Sequence, residues 1–547
     1  MELALLIRLD ASSTVPLHRQ LYQQIRDAIL AGDLKPRTRL PSSRQLAKTL
    51  AVLRTTVVQS YDQLISEGYL QTRPGAGTFV CNQLPDNLLL VRNRQRADTD
   101  ASFGKKVNSQ PLKSASRASR SLSHLSSYGV RLANAADYES KLDCPFSFRY
   151  GLPDLSLFPW QQWRKLLNRQ AAKGHDWMSY AAEPMGHEGL RQEIASYIGE
   201  VRAVRCSPEQ ILITGGTQQA LSLISRVLLD VGEAIAFEDP GYLSAKRIFS
   251  ARGAVVVPVP VDEDGIRVNG LGGLVEIGAT EAALEPRLVY VTPSHQFPLG
   301  VLMSLSKRLA LLRWAKENGA LIIEDDYDSE FRYSGSPIPA LQGLDNDECV
   351  LYVGTFSKVM FPGLRLGYVV LPPSLVDVFR RAKWLCDRQC SLLEQAALAE
   401  FIRGGYLAGH IRRMRNIYDR RRRLLIEAIQ QALPDVTIPG DASGLHILAR
   451  WPQDGSPHNG ACNFLDRLLI TQAKERGVSL FSARPHYWRS HQVSSPKGAA
   501  HKRTAQNFLD ESAREDTTAI GCELIFGFGN IAADDIDAAM NRIRSLF

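Results

Sequence analysis

The sequence predicts a multidomain chain: a small three-helix module closed by a hairpin, a flexible basic linker, and a large α/β domain with a mostly parallel sheet and a small C-terminal α+β subdomain. Three observations lead there. The first eighty or so residues carry short helical patterns joined by tight turns. Residues 92–131 lose apolar periodicity and hold nine Ser and nine Lys or Arg against two acids. Beyond Phe146, short apolar runs alternate with helical stretches, the pattern of a parallel sheet wrapped by helices. At 547 residues the chain also exceeds the roughly 250–300 residues that one core sustains. The expected boundaries are 14–82 for the front module, 83–143 for the linker and 144–547 for the large domain, whose small subdomain covers about 400–547 and carries a polar insertion at about 482–518.

Apolar residues at 44% and charged residues at 22% are ordinary for a globular protein. No apolar run approaches the roughly 18 residues of a membrane helix, and the N-terminal Met1 to Arg8 lacks the features of a secretion signal, so no membrane partner is expected and the expected location is cytoplasmic. The eight cysteines are scattered without zinc or redox spacing, which fits a reducing compartment and predicts no metal site. The net charge of +8 is uneven. Residues 1–131 hold 19 Lys+Arg and 9 Asp+Glu, net +10, leaving net −2 for the rest. A basic front quarter suits contact with a polyanion.

In the front module, residues 16–31 place Leu17, Leu21, Ile25, Ala28 and Ile29 at helical spacing before Gly32 stops the helix. Ser42, with Gln45 three residues on, reads as a capping box opening a second helix to about Leu50. Ala51-Val52-Leu53 makes a three-residue turn, and a third helix begins near Arg54 with Val57, Val58, Tyr61, Leu64 and Ile65 on its buried side. Helices joined this tightly read as a helix-turn-helix, whose second helix presents its N-terminal residues to the major groove. Those residues are Arg54, Thr55, Thr56 and Gln59: arginine suits guanine edges, glutamine adenine, and threonine phosphates. Gly68 to Arg73 and Gly77 to Val80 flank Pro74-Gly75-Ala76, a hairpin that reads as a wing with Arg73 beside its tip.

From Pro16 to Val80, including Leu40-Pro41-Ser42-Ser43-Arg44 and Gly75-Ala76-Gly77-Thr78-Phe79-Val80, the module resembles the winged helix-turn-helix of GntR-family regulators. The resemblance implies operator DNA as partner, and its segments put Ser42, Arg44 and Gly75 beside the other DNA-contact candidates. The turn departs from the family, which usually has glycine and a small polar cap where this chain has Ala51 and Leu53. In the linker, Arg92, Arg94, Arg96, Lys105 and Lys106 could add sequence-independent DNA affinity by counterion release.

In the large domain the candidate strands are Ile211 to Ile213, Ala234 to Phe237, Val255 to Val257, Leu288 to Val291, Leu321 to Ile323 and Val350 to Val353. Ligands of such sheets gather at the carboxyl ends of strands, so the loops there belong together. Behind the last of these strands, Gly354-Thr355-Phe356-Ser357-Lys358 sets a lysine among apolar residues, hydroxyls and Arg365, where desolvation can make it an amine nucleophile. Gly215-Gly216-Thr217-Gln218 opens a helix whose free N–H groups suit a phosphate. The remaining loops offer Tyr242, then His295, then Glu324-Asp325-Asp326-Tyr327-Asp328, four acids that need a cation or a protonated partner.

One cofactor fits all of these, pyridoxal 5′-phosphate. Lys358 forms its Schiff base, Asp325 keeps the pyridine nitrogen protonated, Tyr327 bonds the ring hydroxyl, Tyr242 stacks on the ring, and Gly216, Thr217, Gln218, Thr355, Ser357 and Arg365 bind the phosphate. With Thr292 to Pro298 and Glu324 to Tyr333 in view, residues 146–547 resemble fold-type I aminotransferases, and the fusion to a GntR winged helix resembles MocR/GabR-type transcriptional regulators. His295 stands where ordinary aminotransferases have asparagine and joins the cofactor-binding candidates.

The resemblance implies a PLP-dependent DNA-binding regulator, a head-to-tail homodimer that senses PLP itself, an amine or an amino acid. The alternative is a working aminotransferase with a DNA-binding appendage. The last strand, Cys522 to Asn530, lacks the arginine commonly used there for a substrate carboxylate, and Arg247, a substitute on sequence grounds, is expected to be a surface charge on a helix. The insertion at 482–518 is expected to be solvated loop.

Overall fold

The computed structural model describes residues 7–10, 13, 15–73, 76–81, 124–133, 144–174, 183–272, 274–277, 280–283, 285–335, 339–432, 436–440, 442–451, 468–488 and 523–546. The chain divides into two compact units between residues 115 and 116.

In the first unit, α1 (Leu17–Leu30) buries Leu21, Ile25, Ala28 and Ile29, as its spacing requires. Helix α2 (Ser43–Leu50) is capped by Ser42, whose Oγ accepts the Gln45 N–H at 3.3 Å. The turn opens on Ala51, which ends α2 in the left-handed region at φ 53°, a conformation that costs a β-carbon residue roughly 1–2 kcal/mol and explains why glycine is the commoner choice. Helix α3 (Arg54–Ser66) buries Val57, Tyr61 and Leu64, while Val58 and Ile65 are only half-buried. Strands β1 (Leu70–Arg73) and β2 (Gly77–Val80) pair antiparallel in the register Leu70 to Val80, forming the wing.

The second unit is built on an eight-stranded sheet. In chain order, β3 (Phe146–Ser147) precedes β4 (Ile211–Thr214), β5 (Ala234–Asp239), β6 (Val255–Asp262), β7 (Gly265–Ile266), the separate hairpin β8 (Leu274–Ile277) and β9 (Thr280–Ala283), β10 (Leu288–Val291), β11 (Leu321–Asp326), β12 (Val350–Thr355) and β13 (Gly367–Val370). The order across the sheet is β4-β13-β12-β11-β10-β5-β6-β7. Strands β12, β11, β10, β5 and β6 run parallel, and β13 is antiparallel to both β12 and β4. All six candidate strands form, each with a fully apolar start because helices cover both faces.

A second, three-stranded sheet follows: β14 (His446–Arg450), β16 (Phe481–Ser482) and β17 (Glu523–Gly527) in the order β14-β17-β16. Strand β15 (Val478–Ser479) pairs parallel with β3, so residues just ahead of the large sheet pack with the C-terminal part, a non-contiguous pairing that no linear boundary at about 400 captures. Two other expectations change. Within the span expected to be flexible linker, Ser127–Ala133 is a helix, held where Arg131 donates from Nε to Ala251 O at 2.6 Å and from Nη2 to Arg252 O at 3.0 Å. The carbonyls ending the helix Leu243–Arg252 need donors, and Arg131 supplies them. The start of the expected solvated insertion is also folded, since Phe481–Ser482 pairs with β17 and His486 is only 3% exposed. The basic residues named in the linker, and 489–518 of the insertion, lie outside the described residues.

Candidate functional site

The carboxyl ends of the parallel strands meet at a cavity of about 510 Å³. Lys358, just past β12, reaches into it and donates from Nζ to Gly151 O at 2.6 Å. Burial lowers the Lys358 pKa, and Asp328 and Asp325 only partly restore it, so the amine is biased toward its nucleophilic neutral form. Gly151 has φ 72°, and a β-carbon there would stand 2.7 Å from Nζ, so glycine is what lets the lysine approach. This partner was not legible in the sequence, because 207 residues separate it from Lys358.

Period-two alternation along β11 sorts the acids. Glu324 accepts the Leu341 and Gln342 N–H groups at 2.8 Å and faces Arg308 at 3.9 Å. Asp326 meets Arg202 Nε at 2.8 Å and the Tyr352 hydroxyl at 2.7 Å. Asp325, between them, points to the cavity. Its Oδ2 accepts the Tyr290 hydroxyl at 2.6 Å, while Oδ1 is buried with no hydrogen-bond partner. Burial raises its carboxyl to about 7, against the lowering effect of that hydrogen bond. An orphaned carboxylate oxygen facing a cavity fits a protonated ring nitrogen.

Gly216, at φ 96°, opens the helix Thr217–Leu228, and the Arg365 guanidinium lies within 3.4–3.6 Å of where its β-carbon would be. Arg365 has no ion pair among the described residues. With Thr217, Gln218, Thr355 and Ser357, it and the helix N-terminus line one end of the cavity with donors and no acid, the donor set a phosphate requires. Tyr242 lines the wall, its hydroxyl 3.4 Å from Gln218 Nε2. Gly216 itself stands just behind the surface.

His295 is not on the cavity surface. It is 2% exposed and lies behind Tyr327, whose hydroxyl donates to His295 O at 2.9 Å. Its Nδ1 is 3.0 Å from Asp328 Oδ1, so the fourth acid of the cluster is matched by an imidazole. A direct cofactor contact by His295 is therefore corrected to a supporting position behind Tyr327. His446 joins His295 and Asp328 in a buried group with ligand-type atoms within 4.8 Å of one another, and its Nε2 faces Pro298 O at 3.2 Å.

Tyr150, His446 and His486 line the cavity from segments with no sequence signal, and Tyr290 and Phe297 line it from a strand and a loop whose sequence did not single these two residues out. Phe297 packs against Tyr150, Tyr242, His446 and His486 with ring centroids 4.8–5.7 Å apart. Arg247 also lines the cavity, not the outer surface, because the helix Leu243–Arg252 starts at the cavity edge and carries Leu243, Ser244 and Arg247 along it.

In the first unit, Arg44, Arg54, Thr55, Gln59 and Arg73 are exposed and Thr56 is half-buried. Arg54 Nε reaches Ser43 Oγ at 3.4 Å, and Arg73 lies 5.1 Å over the Phe79 ring. Ser42 is spent on the cap of α2. Gly75 lies outside the described residues.

Comparison with known proteins agrees with this division. Residues 151–474 match the family described as aminotransferase class I and II, and residues 17–80 match the bacterial regulatory proteins of the gntR family. The chain is 40% identical over 444 residues to the "Probable rhizopine catabolism regulatory protein MocR" of Rhizobium meliloti, covering 81% of this chain and 83% of that protein. It is 32% identical over 490 residues to the HTH-type pyridoxine biosynthesis transcriptional regulator PdxR of Corynebacterium glutamicum, covering 88% and 91%. Among solved structures, the Pyrococcus horikoshii kynurenine aminotransferase, described in complex with PMP, matches with a TM-score of 0.61 and 25% identity over 83% of this chain and 98% of that one. No helix among the described residues is long and apolar enough to cross a membrane. The chain belongs to the MocR-type regulators, in which a GntR winged helix-turn-helix is joined to an aminotransferase class I and II domain.

Proposed function

We propose that this transcriptional regulator binds pyridoxal 5′-phosphate through Lys358 and uses the loaded cavity to sense the cofactor, an amine or an amino acid, with the outcome read at operator DNA. The observation that carries the reading is the convergence, in one cavity, of a lysine of lowered pKa, an unpartnered Asp325 oxygen and the acid-free donor set around Arg365. When bound, such a cofactor supplies an aldehyde that captures amines and a ring that accepts electrons. The chain's own residues do the rest. Lys358 offers the amine and Gly151 O holds it in place. Asp325 would hold a proton at the ring nitrogen, and Tyr290 fixes the carboxylate's orientation. Tyr327 would meet the ring hydroxyl while its own donation to His295 O sets its angle. Tyr242 and Phe297 supply aromatic walls.

The winged helix would present Arg54, Thr55, Thr56 and Gln59 to the major groove, with Ser42, Arg44, Arg73 and Gly75 near the backbone. A head-to-tail homodimer in the cytoplasm suits the paired half-sites that dimeric readers use. Ligand binding would shift operator affinity only as far as the ligand's affinity differs between the two arrangements of the dimer. The test is an absorbance and operator-binding titration of the full-length protein with pyridoxal 5′-phosphate, beside Lys358→Ala. A visible band present in wild type and lost in the variant, with operator affinity that responds to cofactor or amine only in wild type, is expected. Wild type without such a band refutes the reading. Conversion of many amino donors through repeated turnovers, with operator affinity unmoved, would favour the working aminotransferase instead.

A further inference from the structure

Between Asp33 and Asp62 the first unit carries six Lys or Arg and no acid, and α2, the turn and the start of α3 all lie in that stretch. In the middle of it stands a side chain of the opposite kind. Leu53 is 76% exposed, next to Arg54 and Thr55, which are exposed too. We infer that Leu53 is a specificity-determining residue of the DNA-reading surface, and that it recognises the C5-methyl group of a thymine in the major groove. The inference rests on the proposed use of α3 as the reading helix, and deepens it by naming one base and the side chain that selects it.

Three observations carry it. First, the Leu53 side chain adds nothing to the packing of its own module. Leu50 and Val52, just ahead of it, pack against the core of the first unit, and Leu53 does not. Second, Leu53 is the N-cap of α3, where Ser, Thr, Asp or Asn would accept a first-turn N–H, and its side chain makes no such bond. Helix α2, by contrast, has its cap in Ser42. The backbone at Leu53 is in use, because its carbonyl accepts the Thr56 N–H at 3.0 Å, so only the side chain is idle. Giving up a cap and holding a large apolar side chain in water both disfavour the free module, and a partner that covers Leu53 returns that loss. Third, the position selects the partner and the part of it that Leu53 meets. A reading helix directs its N-terminal end into the major groove, and the acid-free basic surround attracts the phosphates on either side. Arginine and glutamine can pair with polar base edges there, which leucine cannot. The one apolar group that the four bases present in that groove is the thymine methyl. Charge therefore supplies affinity for any duplex, and Leu53 adds selectivity to it.

The experiment uses full-length protein loaded with pyridoxal 5′-phosphate and a randomised duplex library, from which the bound sequence is enriched. Each thymine of that sequence is then replaced singly by deoxyuridine, which removes the methyl and leaves the hydrogen-bonding groups of the base in place. Wild type should bind about fourfold more weakly when one particular thymine is replaced, the worth of one buried methyl. Leu53→Ala and Leu53→Ser should bind both duplexes alike at that position, while Leu53→Met keeps part of the preference. Leu53→Ser also gives α3 the cap it lacks, so it should melt no lower than wild type, and a preference lost in that variant does not come from misfolding. Replacement at the other thymines should affect wild type and variants equally and serves as the control. Wild type indifferent to every thymine methyl, or a pattern of preferences that Leu53→Ala or Leu53→Ser leaves unchanged, overturns the assignment. A library that enriches no sequence, or an enriched sequence that wild type and Arg54→Ala bind alike, is a different outcome and refutes α3 as the reading helix itself.

Discussion

Replacing Asp325 by asparagine separates a cofactor partner from a merely structural acid, because the two roles predict opposite signs. In the cofactor-free protein the carboxyl titrates near 7, against an ordinary 3.8, chiefly because it is buried. Below about 4 it is protonated in both folded and unfolded chains, and its contribution is fully present. As pH rises toward 7 the unfolded chain ionises and the folded one resists, so stability drains away, by on the order of 4 kcal/mol once both states are ionised. Asparagine does not ionise. Its amide leaves a donor where Oδ1 now has no partner, a cost of about 1–3 kcal/mol that does not vary with pH. Chemical denaturation of cofactor-free wild type and Asp325→Asn, from pH 4 to pH 8, should therefore show the variant gaining steadily on wild type as pH rises. With pyridoxal 5′-phosphate added the order should reverse. The variant has no carboxylate to set against a protonated ring nitrogen, and its cofactor affinity should fall about tenfold to hundredfold. A stability difference flat in pH, or equal cofactor affinity, refutes the assignment of Asp325.

Other expectations follow from single contacts. Lys358→Ala should fold normally and lose the visible band of the bound cofactor, as read by absorbance. Gly151→Ala places a methyl 2.7 Å from Lys358 Nζ at φ 72°, so it should slow or weaken cofactor capture while costing roughly 1–2 kcal/mol of stability in denaturant melts. Gly444→Ala, at φ 80°, drives a methyl into the His295 ring and Asp328, and should cost about 3 kcal/mol or more by the same measurement. Arg54→Ala should lower operator affinity by about 1–3 kcal/mol in a binding titration without changing the helical signal, because Arg54 is exposed; unchanged affinity and specificity would count against α3 as the reading helix.

Much of this protein was legible because local physics acts over short stretches. The α1 face of Leu21, Ile25, Ala28 and Ile29 is set by a 3.6-residue period that any fold must respect. The six sheet strands announced themselves as unbroken apolar runs, because a strand covered on both faces leaves no polar positions. The same limits explain the misses. His486 sits in a polar, basic stretch that composition reads as loop, yet its carbonyl accepts from Lys246 Nζ, on a helix 240 residues away, and from the Gly241 N–H just ahead of that helix. His295 was visible as a strand-end residue, but only the packing of Tyr327 in front of it shows that it stands behind the cavity wall.

By itself, then, the sequence determined the two-part architecture, the lysine at the end of β12, the phosphate-type turn at Gly216 and the acid cluster at the end of β11. Each is written in consecutive residues whose spacing fixes which way they face relative to one another. Only the tertiary structure decided which acid faces the cavity, that Gly151 meets Lys358, and that Arg247 belongs to the cavity with His446 and His486. Alternation makes Asp325 face away from Glu324 and Asp326, but which side is the cavity depends on strands and helices hundreds of residues apart. Those contacts arise from packing of the whole sheet against the C-terminal subdomain, and no local pattern encodes them.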